Sequence, residues 1–268
     1  MSSVALALSD GAVIAKRNLI KIKRLPEILV WTLISPIMFV VLFGYVFGSS
    51  IEIGGGVNYR EFFIAGIFAQ TVIFGSTYTG VGLAEDMTKG IIDRFRSLPM
   101  SRSAVLTGRT GSDVFYNMIS IFMMAVTGLV VGWRIHTGVF EAIGGFAILL
   151  LFAYAFSWVM AFVGLKVASV EVVNNASFMF IFPLTFVART FVDSSRLPGP
   201  LEAFANWNPV SAVAESARVA FGNTGNLPTP DVWSLQHPFL YTLIWVAIIL
   251  AIFIPLSVRQ YSKAASRG

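Results

Sequence analysis

The sequence contains no cysteine, which excludes disulfides, iron–sulfur clusters and thiolate metal sites. Charge is also scarce. Of 268 residues only 12% are charged, as 19 Lys+Arg and 14 Asp+Glu, whereas soluble domains carry roughly 25%. So few charges cannot coat a water-soluble chain of this length. With 56% hydrophobic residues and 24 Phe, the composition argues against a soluble enzyme, a disordered chain or a fibrous protein. Histidine is nearly absent too. His136 and His237 stand alone, and neither His-Glu-x-x-His nor Gly-x-Ser-x-Gly occurs, so no metal ligand set and no serine-hydrolase motif is expected. No Lys follows a Gly, which excludes a phosphate-binding P-loop. The chain by itself is not expected to be an enzyme.

What is present is a set of long charge-free runs. They are Ile28–Ile51, Phe62–Ala84, Val114–Trp133, Ala142–Leu165, Val172–Ala188 and Val232–Val258. Crossing a hydrocarbon core of ~30 Å takes about 17–25 apolar residues as a helix. A spanning strand would be shorter and would alternate, and these runs do not alternate. The expected fold is therefore an all-α integral membrane domain over 1–268, with six transmembrane helices at 28–51, 62–84, 111–133, 142–165, 172–192 and 237–258. Pro183 should kink the fifth.

The net charge of +5 reads as loop cations of a membrane protein rather than as a nucleic-acid surface. An even number of spans places both termini on one side. Fourteen Lys and Arg fall on that side and five on the other, so both termini are expected in the cytoplasm of a multi-pass cell-membrane protein. No cleavable signal peptide is expected, because the first apolar run is too long and lacks an A-x-A-like site.

Three segments outside the runs carry patterns. Over 4–25, Val4, Leu8, Gly11, Ala12, Ala15, Leu19 and Ile22 form one face, with Lys16, Arg17, Lys21, Lys23 and Arg24 opposite. That pattern suits an interfacial amphipathic helix among lipid headgroups, or else a simple positive-inside flank. Over 85–99, Met87, Ile91, Phe95 and Leu98 make a short apolar stripe that Pro99 ends, either a helix that docks on a partner or a solvated loop. Over 201–222, helices at Leu201–Asn206 and Val210–Phe221 flank a break at Trp207-Asn208-Pro209, with Gly222 as a cap. A 12-residue helix of about 18 Å is too short to cross, so this pair should lie on the outer surface or dip in and return.

Proton-coupled transport normally needs an ionisable group within the membrane. The six runs hold none, and Glu61, Asp113, Glu141 and Glu171 are expected at span ends in contact with water. Energy for uphill transport should therefore come from another subunit. Inside the second run lie Gln70, Thr71, Gly75, Ser76, Thr77, Tyr78, Thr79, Gly80 and Gly82, and the third ends in Gly128-Leu129-Val130-Val131-Gly132. Small residues at this spacing suit close helix packing, a subunit interface or a cavity lining.

The segment Glu85-Asp86, Gly90, Arg94, Arg96-Ser97-Leu98-Pro99-Met100-Ser101-Arg102, Gly108-Arg109 and Asp113 resembles the cytoplasmic signature loop of ABC-2 type exporter permeases, and among them the daunorubicin-resistance-like transmembrane subunits. Asn208-Pro209, Glu215, Arg218 and Gly222 resemble that family's outer-loop pattern. The resemblance covers nearly the whole chain. It implies a permease that binds no cofactor itself and works with ATP and Mg on a separate ABC ATP-binding subunit, present in two copies. A second permease, identical or paralogous, completes the exporter, with membrane lipid as a further partner and no nucleic acid. It implies that 4–25 is a connecting helix, and that the coupling segment comprises Glu85, Asp86, Gly90, Ile91, Arg94, Phe95, Arg96, Pro99, Arg102 and Arg109. It further implies that the outer helices, with Trp207, Asn208, Pro209, Glu215 and Arg218, help close the exit. The cargo would be a drug, lipid or glycolipid, or in the polysaccharide branch a glycan. A candidate path for an amphiphile runs past Gln70, Thr71, Thr77, Tyr78 and Phe178. A secondary transporter or a membrane enzyme acting alone is the competing class.

Overall fold

The computed structural model describes residues 13–18, 20, 26–47, 56–92, 104–167 and 169–264, and within these every regular element is a helix. We number the helices α1 (Pro26–Leu42), α2 (Tyr59–Gly75), α3 (Thr77–Thr88), α4 (Ala104–Val131), α5 (Val139–Lys166), α6 (Val170–Phe186), α7 (Gly199–Trp207), α8 (Pro209–Phe221), α9 (Trp233–Gln236) and α10 (Pro238–Ala264). A π-turn, Phe43–Phe47, continues α1, and residues 13–18 are also helical.

Among the described residues, four helical stretches are long and apolar enough to cross a membrane: Tyr59–Thr88, Ala104–Val131, Val139–Lys166 and Pro238–Lys263. Ile34–Val46 and Val170–Phe186 are shorter apolar helices. One end of the bundle gathers residues 13–18 and 20, the close of α3, the starts of α4 and α6 and the close of α10; we call it the terminal end. The other, the loop end, gathers the start of α2, the α4–α5 turn and everything from Val187 to Pro238.

α2 is the buried axis, with Phe62, Phe63, Ile64, Ile67, Phe68, Val72 and Ile73 fully covered. α5 packs against α10, α3, α8, α4 and α2. The ladder between α2 and α3 is interrupted at Ser76, whose hydroxyl donates to Val72 O (2.8 Å) and to Ala153 O on α5 (3.0 Å). Just beyond, α3 and α5 cross at glycines. A Cβ on Gly164 would lie 2.2 Å from the Gly80 carbonyl oxygen, so only glycine lets these backbones approach so closely.

Several sequence expectations change. α4 begins at Ala104 rather than 111, which puts Arg109 and Asp113 inside one of the long apolar helices. Asp113 is 6% exposed, not a water-bathed span end. α6 stops at Phe186, so 187–192 lies outside it. Gly132 has φ +106° and ends α4, so Gly128 and Gly132 are not a helix-crossing pair; the close crossing uses Gly80 and Gly164 instead. α3 runs to Thr88, with Lys89 as its C-cap and Gly90 at φ +62°. Glu85 and Asp86 therefore belong to this helix rather than to a separate one over 85–99. Helix resumes at 91–92; Arg94, Phe95, Arg96, Pro99 and Arg102 lie outside the described residues, as do Lys21, Lys23 and Arg24.

Candidate functional site: an aromatic groove between two polar clusters

A groove of about 540 Å³ opens between α1, α2, α3, α4 and α6. All five residues of the candidate path line it: Gln70 and Thr71 from α2, Thr77 and Tyr78 from α3, and Phe178 from α6. Reading the sequence missed their aromatic partners. Phe178, Phe182 and Phe186 stand one turn apart on α6 with successive centroids 5.0 and 4.0 Å apart. Phe74 faces Phe178 at 6.2 Å, Phe39 faces Phe186 at 6.4 Å, and Tyr78 faces Tyr116 at 5.0 Å. The four-residue spacing of the three α6 phenylalanines was a readable signal; the contributions of Phe39 and Tyr116 depend on how the helices assemble.

Among the described residues the groove is lined by polar atoms but no charge. Gln70 and Thr71 are buried, and Thr71 Oγ1 has no hydrogen-bond partner among the described residues. Ser120 completes that wall. A smaller adjoining cavity of about 260 Å³ shares Phe74, Thr77 and Phe178 and adds Asn174, Asn175 and Ser177. These asparagines lie in the first turns of α6, at the terminal end. The surface thus grades from amide groups to stacked rings, which matches an amphiphile with a hydrogen-bonding head and an apolar or planar body.

Beneath the groove, on the terminal side, sits a polar cluster. Arg109 of α4 donates to the Tyr78 carbonyl (2.8 Å) and lies 3.8 Å from Asp113. Asp113 accepts from the Thr79 hydroxyl. Gly82 makes room, since a Cβ there would sit 1.8 Å from Arg109 Nη2. Farther out, Arg17 pairs with Asp86 (3.0 Å) and Asn18 donates to Ser112 Oγ (3.1 Å). The N-terminal helix thus docks through Ile14 and Asn18, both buried, while Ala15 is only partly covered and Lys16 is exposed. Lys89 remains exposed, and its hydrogen bond to Glu85 pushes its pKa above the ordinary lysine value. Among the coupling candidates, Glu85, Asp86, Gly90, Ile91 and Arg109 are described, and Asp86 and Arg109 join this cluster.

At the loop end, α8 is inserted among α2, α5 and α10 rather than lying on the surface. Asn208 caps it, accepting from Val210 N (2.9 Å) and donating to Leu184 O at the end of α6 (2.7 Å). Gly222 closes it at φ +71°, as the sequence suggests. The α4–α5 turn clamps that end: His136 N donates to Phe221 O, Thr137 Oγ1 to Ala220 O, and Trp133 Nε1 to Asn223 Oδ1.

Four buried charges meet along α8. Arg218 donates to Phe62 O (2.8 Å), Glu215 Oε2 (3.0 Å), Arg189 O (2.6 Å) and Thr190 O (3.2 Å), and its guanidinium lies 3.6 Å from the Phe62 ring centroid. Arg189 pairs with Asp193 (3.0 Å) and with Glu215 (3.2 Å). The set is neutral overall and joins α2, α8 and the turn after α6. Of the gate candidates, Asn208, Glu215 and Arg218 are buried, Pro209 is partly covered, and Trp207 is 51% exposed.

Comparison with known proteins adds one family and several relatives. Residues 11–221 match the family model described as ABC-2 type transporter. The daunorubicin resistance ABC transporter permease protein DrrB1 of Streptomyces coeruleorubidus is 29% identical over 245 residues, spanning 91% of this chain and 83% of the relative. The probable doxorubicin resistance ABC transporter permease protein DrrC of Mycobacterium tuberculosis is 22% identical, spanning 87% and 81%. The inner membrane transport permease YadH of Escherichia coli is also 22% identical, spanning 85% and 91%.

Proposed function

The chain belongs to the ABC-2 type transporter family and is a transmembrane permease subunit of an ABC transporter, and from that premise we propose that it exports a hydrophobic or amphiphilic compound driven by a separate ATP-binding subunit. The cargo class is a drug, lipid or glycolipid taken from the cytoplasm or the inner leaflet. Two ATPase copies with their ATP and Mg, and a second permease, identical or paralogous, complete the machine. The protein sits in the cell membrane with both termini in the cytoplasm and crosses six times, using α1 with its π-turn and α6 in addition to the four long stretches. At 1.5 Å per residue, α1 and its π-turn reach about 30 Å, enough for one crossing.

The observation that carries this reading is the groove. Its described lining is uncharged and carries stacked rings, edged by amides at the terminal end, and it is backed by the polar cluster that joins α3 and α4 to the N-terminal helix. Motion delivered at Asp86, Gly90 and Arg109 by the ATPase can therefore reach the groove wall at Tyr78. Helix α8, with Glu215 and Arg218, is the element to be displaced for release at the loop end. Such a cycle is alternating access between two packings.

The test is assembly and stimulation. The chain is purified from membranes of its source with the proteins bound to it. Identification of an ATP-binding subunit with a P-loop, and ATP hydrolysis stimulated by an anthracycline or a glycolipid, are expected. Purification alone, with transport abolished by an ionophore and indifferent to ATP, would overturn the proposal.

A further inference from the structure

A separate cavity of about 600 Å³ opens at the loop end, between the close of α8, the turn over 224–229, α9 and the start of α10. Small-molecule sites occupy roughly 300–1,000 Å³. Its buried member is Glu215, 4% exposed. One carboxylate oxygen, Oε2, pairs with both Arg218 Nη1 (3.0 Å) and Arg189 Nη1 (3.2 Å). The other, Oε1, makes no hydrogen bond among the described residues. Thr224, Thr229 and His237 add two hydroxyls and an imidazole to the same lining. None of these three side chains is hydrogen-bonded among the described residues. Phe239 and Leu240 supply an apolar wall.

These groups select a ligand by what they refuse. Arg189, Asp193, Glu215 and Arg218 already balance one another, so a cation would find no unpaired charge. An anion such as a phosphate head would meet the Glu215 carboxylate, like charge against like. A wholly apolar group would cover Oε1 and leave it without a hydrogen bond, which is costly. A neutral group that donates to Oε1, exchanges hydrogen bonds with the threonine hydroxyls and offers an apolar flank to Phe239 meets every demand. The ring of a sugar, with hydroxyls at its edge and C–H bonds on its faces, is such a group.

Leu240 also begins a track. Leu240, Ile244, Ile248 and Ile252 recur every four residues on α10, and all are exposed. Side chains at that spacing share one face of a helix. Twelve residues extend about 18 Å, against about 15 Å for half of a ~30 Å hydrocarbon core. An apolar track one leaflet deep thus leads out of the polar cavity.

We infer that this cavity is a binding site for the neutral glycosyl head of an amphiphile, held by Glu215 Oε1 and the hydroxyls of Thr224 and Thr229, with its apolar tail along the α10 track. Its service as the station from which cargo leaves rests on the exporter reading above. The binding itself does not. Among drug, lipid and glycolipid, the site favours a cargo that carries a sugar.

The chain has no native cysteine, so a single introduced thiol can report occupancy. Gln236 lines the cavity, is exposed, and has its amide nitrogen engaged by Asp231 (2.9 Å). The full-length Gln236→Cys chain is placed in phosphatidylcholine nanodiscs and alkylated with a water-soluble maleimide. Monoglucosyl diacylglycerol in the disc should slow alkylation by the factor 1 + [L]/Kd, about fivefold at four times Kd. Unglycosylated diacylglycerol, phosphatidylglycerol, and methyl glucoside in the buffer should leave the rate within about twofold of lipid alone. Thr224→Val or Glu215→Gln, each added to the reporter chain, should raise the half-protecting fraction of glucolipid roughly 2- to 10-fold. Thr224→Val is isosteric and reports even if Glu215→Gln fails to fold. Equal rates with and without the glucolipid would overturn the inference. So would equal protection by plain diacylglycerol (a tail site), by phosphatidylglycerol (a charge site) or by methyl glucoside (a soluble-sugar site), or protection that neither variant weakens. No ATPase is present, so a negative result leaves the exporter reading standing, and loss of that reading leaves a positive result standing.

Discussion

Arg109 reaches from α4 across Gly82 to donate to the Tyr78 carbonyl at 2.8 Å, so a largely buried cation is bonded to the backbone of the groove wall. Its counter-charge is Asp113, one turn along the same helix. Asp113→Ala would leave Arg109 largely buried without compensation, a loss of about 3–5 kcal/mol. For a chain of this size that lowers the unfolding midpoint by roughly 10 °C. Thermal unfolding in detergent checks it. Replacing both residues with apolar ones, Arg109→Met with Asp113→Leu, should recover most of the midpoint, because the desolvation cost disappears with the pair. If the double variant is as unstable as Asp113→Ala, the pair is not acting as a compensated unit.

The Arg17–Asp86 pair should behave differently. Arg17 keeps 39% of its side chain exposed, so solvent screening holds its contribution to stability under about 1 kcal/mol. Its position, between the N-terminal helix and the end of α3, makes it a mechanical link instead. Arg17→Gln should leave the unfolding midpoint nearly unchanged while lowering substrate-stimulated ATP hydrolysis in the assembled transporter. Exchanging the charges, Arg17→Asp with Asp86→Arg, should restore stimulation. Equal stimulation in wild type and Arg17→Gln would remove the link from the coupling route.

Within the groove, Phe178 contacts both Phe74 and Phe182 and touches both cavities. Aromatic pairing contributes about 0.5–1.5 kcal/mol beyond area burial. Phe178→Ala should therefore weaken binding of a planar amphiphile by roughly 2- to 10-fold, read as a shift in the concentration that half-stimulates ATP hydrolysis. Phe180→Ala, at a 74% exposed position outside the groove on the same helix, should not shift it.

The sequence makes the apolar elements legible because crossing helices need long uncharged stretches, and each of the six runs overlaps a helix of the fold. It also makes four groove positions of the second run legible, because Gln70, Thr71, Thr77 and Tyr78 are polar groups in apolar surroundings. The same charge-free rule hides the rest. It starts the uncharged run of α4 at Val114 and the expected span at 111, and so leaves Arg109 outside and Asp113 at a wet end, whereas Thr79, Gly82 and the Tyr78 carbonyl receive them inside. It likewise leaves Arg189 and Arg218 as loop cations, since their neutral cluster with Asp193 and Glu215 exists only once α8 is inserted. Nor does apolar periodicity reveal that Arg17 and Asn18 tie the N-terminal helix to Asp86 and Ser112, which are distant in sequence.

The Gly80–Gly164 crossing places backbone against backbone. Gly164→Ala puts a methyl group 2.2 Å from the Gly80 carbonyl oxygen, and no side chain can move aside to relieve it. Overpacking of this kind costs about 1–3 kcal/mol, so the unfolding midpoint should fall by a few degrees. Gly144→Ala, earlier on α5, meets nothing within 4 Å, and its midpoint should match wild type. Because α3 carries Thr77 and Tyr78 into the groove, Gly164→Ala should also shift amphiphile stimulation, while Gly144→Ala should not.

Arg218 supplies the last prediction, because its four acceptors need a planar fork. Lysine keeps the charge but cannot reach Phe62 O, Glu215, Arg189 O and Thr190 O together, nor stack on Phe62. If α8 is held mainly by charge, Arg218→Lys should unfold near wild type, and only Arg218→Met should lose the 3–5 kcal/mol of a broken buried pair, about 10 °C. The contacts favour the other outcome. Three of the four acceptors are backbone carbonyls on α2 and the turn after α6, so both variants should lose most of the stability that seats α8. Glu215→Gln, which keeps an acceptor for Arg218 while removing a charge, should be the mildest of the three. A midpoint for Arg218→Lys within about 2 °C of wild type, less than the shift roughly 1 kcal/mol produces, would show that charge rather than directional bonding seats this helix.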